Sequence, residues 1–149
     1  MHIVKIISAQ EAQIVRHPVL RPGKPLETAV FPDDALEDTF HVGVVENNEA
    51  VGTVTFIKKK NNLFTANNQY QLRGMAVLDV HQKKGFGALM VQKAETVMLE
   101  KGGDFIWLNA REIAVPFYKK MGYKIVGDVF QVPEIGPHYL MTKSFSESN

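Results

Sequence analysis

The segment that most constrains this chain is a short glycine-containing run, Gln82-Lys83-Lys84-Gly85-Phe86-Gly87, set between two strongly patterned stretches. Before it, residues 70–78 read as a mostly buried strand. After it, Phe86, Leu89, Met90, Ala94, Val97 and Met98 repeat at the i, i+3, i+4 spacing of one helical face. Lys101-Gly102-Gly103 then supplies a cation and glycines able to take positive φ, which ends the helix. A strand that enters a helix through such a turn presents unpaired N–H groups and the positive end of the helix dipole at one point. Glycine leaves no Cβ in the way of a bulky anion, and Lys83 and Lys84 can screen its remaining charge. A pyrophosphate suits that arrangement, although the run taken alone also suits a plain tight turn. It is not a Walker loop, because Gly-Lys-Ser/Thr is missing. Nor is it the dinucleotide fingerprint, because Met90 stands where a third glycine is needed.

The remaining pattern fits one domain over residues 1–149, with 45% hydrophobic residues and a polar end, residues 144–149, that reads as a frayed, disordered tail. Residues 3–7 suggest a first strand. Ser8 and Glu11 form a capping-box signature for a short helix that should stop before Pro18. Prolines 18, 22, 25 and 32 make residues 18–38 an irregular, semi-rigid loop, with one short helix near residues 33–38. Strands are expected at 39–46 and 50–58 around an Asn47-Asn48 hairpin turn, with Lys58-Lys59-Lys60 as a solvated tip. A short buried strand follows at 105–108. An amphipathic helix at 114–121 carries Pro116 in its first turn, and strands at 123–130 and 138–142 close the sheet. The chain has no cysteine, which removes disulfides, thiolate metal sites and a cysteine acyl-enzyme. With 17 basic and 16 acidic residues, bulk charge gives no support for a nucleic-acid partner. No run approaches membrane-spanning length and no signal peptide is evident, so the expected location is the cytoplasm, with no membrane and no metal involved.

Three blocks in order then resemble the GNAT superfamily of N-acetyltransferases. Gln82-x-x-Gly85-x-Gly87 resembles its Gln/Arg-x-x-Gly-x-Gly/Ala acetyl-CoA loop, and Arg73-Gly74-Met75-Ala76-Val77 resembles its fourth strand. Ala114-Val115-Pro116-Phe117-Tyr118-Lys119-Lys120-Met121-Gly122-Tyr123 resembles its Ala-x-x-Phe/Leu-Tyr-x-x-x-Gly-Phe/Tyr segment. Leu108-Asn109-Ala110-Arg111 and Gly136-Pro137-His138 look like a subgroup of small, poorly assigned members. The resemblance implies an α+β fold, a mixed but mostly antiparallel sheet of six or seven strands with helices on both faces. It implies a split between the fourth and fifth strands that takes the pantetheine arm of acetyl-CoA, the co-substrate. The backbone of Met75, Ala76 and Val77 would face that arm, and an N–H there would polarise the thioester carbonyl. Gln82, Lys83, Lys84, Gly85, Phe86, Gly87 and Ala88 would hold the pyrophosphate. Tyr118 matches the tyrosine that faces the CoA sulfur and can protonate the leaving thiolate. Asn109 and Arg111 fall near the family's CoA-contacting asparagine; its usual place, seven residues before the tyrosine, is held here by Arg111.

The implied activity is direct acetyl transfer to a primary amine of a small molecule or of a peptide or protein, with a homodimer as a further expectation. A non-catalytic acyl-CoA-binding module on the same scaffold is the alternative; retention of Tyr118 argues for the enzyme. An alkylamine near pKa 10.4 must lose a proton before attack. His138, after a Gly-Pro turn at the start of the last strand, is the first choice as base, with Glu134, Glu46 and His41 behind it. Arg73 suits either an anionic substrate group or a structural ion pair.

Overall fold

The computed structural model describes residues 1–145. Seven strands form one sheet: β1 (His2–Ile7), β2 (Phe40–Glu46), β3 (Glu49–Lys58), β4 (Gln69–Val77), β5 (Phe105–Arg111), β6 (Lys124–Val132) and β7 (Gly136–Ser144). The helices are α1 (Ala9–Leu20), α2 (Phe86–Glu100) and α3 (Val115–Lys120). The spatial order is β1-β2-β3-β4-β5-β7-β6. Every neighbouring pair is antiparallel except β4 and β5, which run parallel. A parallel pair cannot be joined by a tight turn; the crossover is α2, which the glycine run opens.

Strand alternation assigns the two faces. On β3, Val54 and Phe56 join the main core with Met90 and Met98 of α2. The intervening Thr55 points the other way and accepts a 2.6 Å hydrogen bond from Arg16 of α1. Thus α2 covers one face and α1 the other. The β2–β3 hairpin turns through Asn47 and Asn48, both at positive φ (51° and 66°), the backbone that a two-residue turn matched to strand twist requires.

Several local expectations are corrected. Helix α1 begins with the capping box, Ser8 and Glu11 bonding each other's backbone at 2.9 and 3.0 Å, but it runs through Pro18 to Leu20. One proline removes one hydrogen bond, whereas the inward face of Ala12, Val15 and Arg16 is buried and holds the helix in place by packing. The proline-rich loop contains two 3-10 turns, Leu26–Ala29 and Pro32–Ala35, rather than one. Strands β6 and β7 extend to Val132 and from Gly136, leaving a tight turn between them. Ser144 ends β7 and the Phe145 amide bonds the Asp104 carbonyl, so the tail starts later than expected; its remainder, 146–149, lies outside the described residues.

Candidate active site

The sheet opens in its middle. β4 and β5 pair only at Gln69–Phe105, Tyr70–Ile106 and Gln71–Trp107, and from residue 72 to residue 77 β4 has no β5 partner. The divergence coincides with a bulge. Thr53 pairs with Ala76 and Thr55 with Arg73, so Gly74 and Met75 together oppose Val54 alone. Gly74 makes the bulge possible. Its φ is 61°, and an added Cβ would lie 2.8 Å from Arg16 Nε and 2.9 Å from the Phe31 ring. Backbone N–H and C=O groups of β4 therefore face a gap that an extended ligand can enter.

The glycine run ends at the same gap. Gly85 is the N-cap of α2 in the left-handed region (φ 79°, ψ 12°), and Lys83 is left-handed too (φ 65°). Leu89 N–H returns to the Gly85 carbonyl, leaving the amides of residues 86–88 as unpaired first-turn donors. A Cβ on Gly87 would come 3.3 Å from the Phe117 ring and 3.7 Å from Met75 Sδ, so this turn seats between β4 and α3. The Gln82 side chain donates to the Val77 carbonyl (2.9 Å) and to Asp79 Oδ1 (3.2 Å), fastening the loop to the end of β4. Phe86 anchors α2 in the core, Ala88 is half-buried, and Lys83 and Lys84 are exposed.

A cavity of about 470 Å³ occupies the split. It is lined by Arg73, Gly74 and Met75 of β4, Asn109 and Arg111 of β5, Tyr118 of α3 and His138 of β7. Tyr118 is 5% exposed, edge-on to the rings of Phe117 and Tyr123. Burial pushes its phenol well above the ordinary tyrosine range, so it is a protonated donor at working pH. His138 is 7% exposed, and its Nδ1 lies 2.9 Å from the Gly136 carbonyl. A carbonyl only accepts, so Nδ1 carries the proton and a neutral ring offers Nε2 as an acceptor. The β5–β7 register sets Arg111 beside His138.

The other base candidates are elsewhere. His41 is buried under α1, its ring nitrogens held by Thr55 Oγ1 (2.7 Å) and the Asp34 carbonyl (3.2 Å). Burial, chiefly, lowers its pKa below the usual histidine value. Glu46 lies 3.7 Å from His81. Glu134 is exposed in the β6–β7 turn at φ 67° and does not line the cavity.

Across the bulge a second cavity, about 400 Å³, is lined by Arg16, Arg21, Arg73, Arg111 and Phe31 among others. Arg16, wholly buried, forms a two-pronged pair with Asp34 at 2.7 and 2.8 Å and donates to the Ala29 carbonyl and to Thr55. For Asp34, burial works to raise the pKa. The bonds from Arg16, the Phe31 amide and Gln13, with the Arg16 charge, together outweigh it and hold the carboxyl below its usual value. The Arg16 and Arg73 guanidinium carbons lie 3.8 and 4.2 Å from the Phe31 ring centre, sandwiching it. Among the described residues no carboxylate lies within ion-pair distance of Arg73, although the Asp33 and Asp34 charges act on it from farther away. Sequence reasoning passed over Arg16, Asp34 and Phe31. The available hint was a cation inside the apolar stripe Ala12, Val15, which needs a buried acid.

Solved structures share this fold. Escherichia coli ElaA superposes with a TM-score of 0.78 at 17% identity over 97% of this chain and 100% of its own. An aminoglycoside 6'-N-acetyltransferase complexed with coenzyme A gives 0.72 at 18% identity over 99% of both chains. The uncharacterised N-acetyltransferase YitI of Bacillus subtilis (strain 168) is 33% identical over 145 residues, 97% of each chain. The acetyltransferase (GNAT) family model matches residues 8–123. The chain belongs to the acetyltransferase (GNAT) family, and its activity class is acyl-CoA-dependent N-acyl transfer.

Proposed function

We propose that this chain transfers acetyl from acetyl-CoA directly to a primary amine. The observation that carries the reading is one continuous site. The unpaired β4 edge borders a cavity that also receives Tyr118 and His138, and the α2 N-terminus seats against Met75, one of the residues lining it. The free amides at residues 86–88, with Lys83 and Lys84 beside them, suit a pyrophosphate, and Gln82 acts by fixing the loop. Residues 75–77 suit a pantetheine amide chain, and the bulge leaves the Gly74–Met75 backbone outside the β3 ladder to stabilise negative charge growing on the acyl oxygen. Asn109 and Arg111 border the β5 side.

The residue roles follow from protonation. His138 Nε2 accepts a proton from the acceptor ammonium, directly or through water. The neutral nitrogen then bonds the acyl carbon while the C–S bond breaks. Tyr118 gives its proton to the departing sulfur and regains one from solvent or the product nitrogen. With no cysteine in the chain, transfer needs no cysteinyl acyl-enzyme.

The test is thiol release from acetyl-CoA across an amine panel. Tyr118→Phe should lower kcat ~10²–10⁴-fold with little change in acetyl-CoA affinity. Unchanged kcat with a good acceptor would leave Tyr118 a packing residue.

A further inference from the structure

We propose that the acceptor carries an oxyanion group, a carboxylate or a phosphate, docked by Arg21, Arg73 and Arg111 while its amine reaches the split. This rests on the acetyltransferase reading and names the substrate class of the same site.

The first ground is charge. Four arginines border the second cavity and no carboxylate side chain lines it. Asp34 neutralises Arg16, and Lys59 takes Asp33 at 3.4 Å. Among the described residues no carboxylate lies within ion-pair distance of Arg21, Arg73 or Arg111. Arg21 and Arg73 are half-buried and Arg111 is exposed. Burial first, then the Arg16 charge, holds Arg73 below the ordinary arginine range despite the more distant Asp33 and Asp34 charges, and a bound anion relieves that cost.

The second ground is unmet hydrogen bonding. Arg21 Nε is buried without a partner. Arg73 is half-buried with its guanidinium carbon 4.2 Å over the Phe31 ring, a contact that positions the group and leaves N–H donors for an oxyanion. Gln71, 7% exposed at the base of the split, also has its side-chain carbonyl oxygen buried without a partner, an acceptor for an N–H of a polar ligand.

The third ground is continuity. Arg73, Arg111 and Phe31 line both cavities, so one small molecule can touch the arginines and still present nitrogen to Tyr118 and His138. The glycine turn belongs to the α2 face, whereas Arg16 and its neighbours belong to the α1 face, which separates this anion site from the pyrophosphate site.

The experiment is calorimetric titration of the full chain saturated with CoA. The probes are γ-aminobutyrate, aminopropylphosphonate, butylamine and putrescine. At least one anionic probe should bind about tenfold or more tighter than butylamine, and putrescine weakest; which anion wins separates carboxylate from phosphate. Arg73→Gln and Arg21→Gln should each shrink that preference about tenfold, and added salt should shrink it in the wild type. If Arg73→Gln does not fold, Arg21→Gln and Arg111→Gln supply the reading. Equal binding of all probes, no binding by either anion, or an equal loss of CoA affinity in the Arg21 and Arg73 variants would overturn the proposal. Anion-selective binding without turnover would refute the enzymatic reading and leave the anion site standing; turnover of neutral amines without anion preference would do the reverse.

Discussion

Arg16 and Asp34 are eighteen positions apart and both almost fully buried, and their pairing shapes the arginine-lined cavity proposed to take the acceptor. Arg16 holds the proline-rich loop through Asp34 and Ala29, supports Phe31 and touches β3 through Thr55. Asp34→Asn would leave a buried guanidinium uncompensated and should cost about 3–5 kcal/mol in denaturant unfolding. The pH dependence has a definite sign. The folded carboxyl of Asp34 titrates below its unfolded value, so its stabilisation is complete above the ordinary carboxylate range and disappears as pH falls through the lowered pKa. His41 also titrates below its unfolded value, so the unfolded chain takes up that proton first and stability begins to fall as pH drops below about 6.5. Stability should therefore decline in two stages on acidification, and Asp34→Asn should remove the lower one. A melting profile with no acid-side decline above pH ~3 would contradict both assignments.

Among the elements, β4 carries the most consequence. Its bulge at Gly74 separates it from β5, presents Arg73 to the α1 face and brings Met75 against the glycine turn. Gly74→Ala combines positive φ with contacts at 2.8 and 2.9 Å and should cost about 2 kcal/mol or more. In the α2 turn, a Cβ on Gly85 meets nothing within 4 Å, so Gly85→Val acts through backbone strain alone at φ 79°. Gly87→Val instead presses on Phe117. Both should weaken acetyl-CoA binding by calorimetry while leaving most of the fold intact, and wild-type affinity in either would remove the turn from the binding site. The turn was legible in the sequence because its signal is contiguous: strand, glycines and helix face all lie within residues 70–98. Tyr118 was legible for the same reason, within one short block. The run of α1 through Pro18 was not, because packing under Ala12, Val15 and Arg16 overrides a local stop signal. His41 had the residue type of a base and the environment of a core group, and only the tertiary contacts to Thr55 and Asp34 distinguish the two.

At the scale of the molecule, a mostly antiparallel sheet contains one parallel pair, and the proposed site lies where that pair comes apart. The α2 face supplies the strand edge, glycine turn and Tyr118; the α1 face supplies the arginines. The second set draws on α1, the proline-rich loop, β4 and β5, whose residues span positions 16 to 111, so no local pattern announces it. The most direct measurement of the whole account is a product balance. Purified chain, acetyl-CoA and an amine panel that includes the amino acids should yield free thiol and N-acetylated amine in equal amounts, with mass spectrometry of the protein showing no acetylated chain as an obligatory intermediate. Failure to release thiol above the uncatalysed rate with any amine, or thiol release without a matching N-acetyl product, would contradict it.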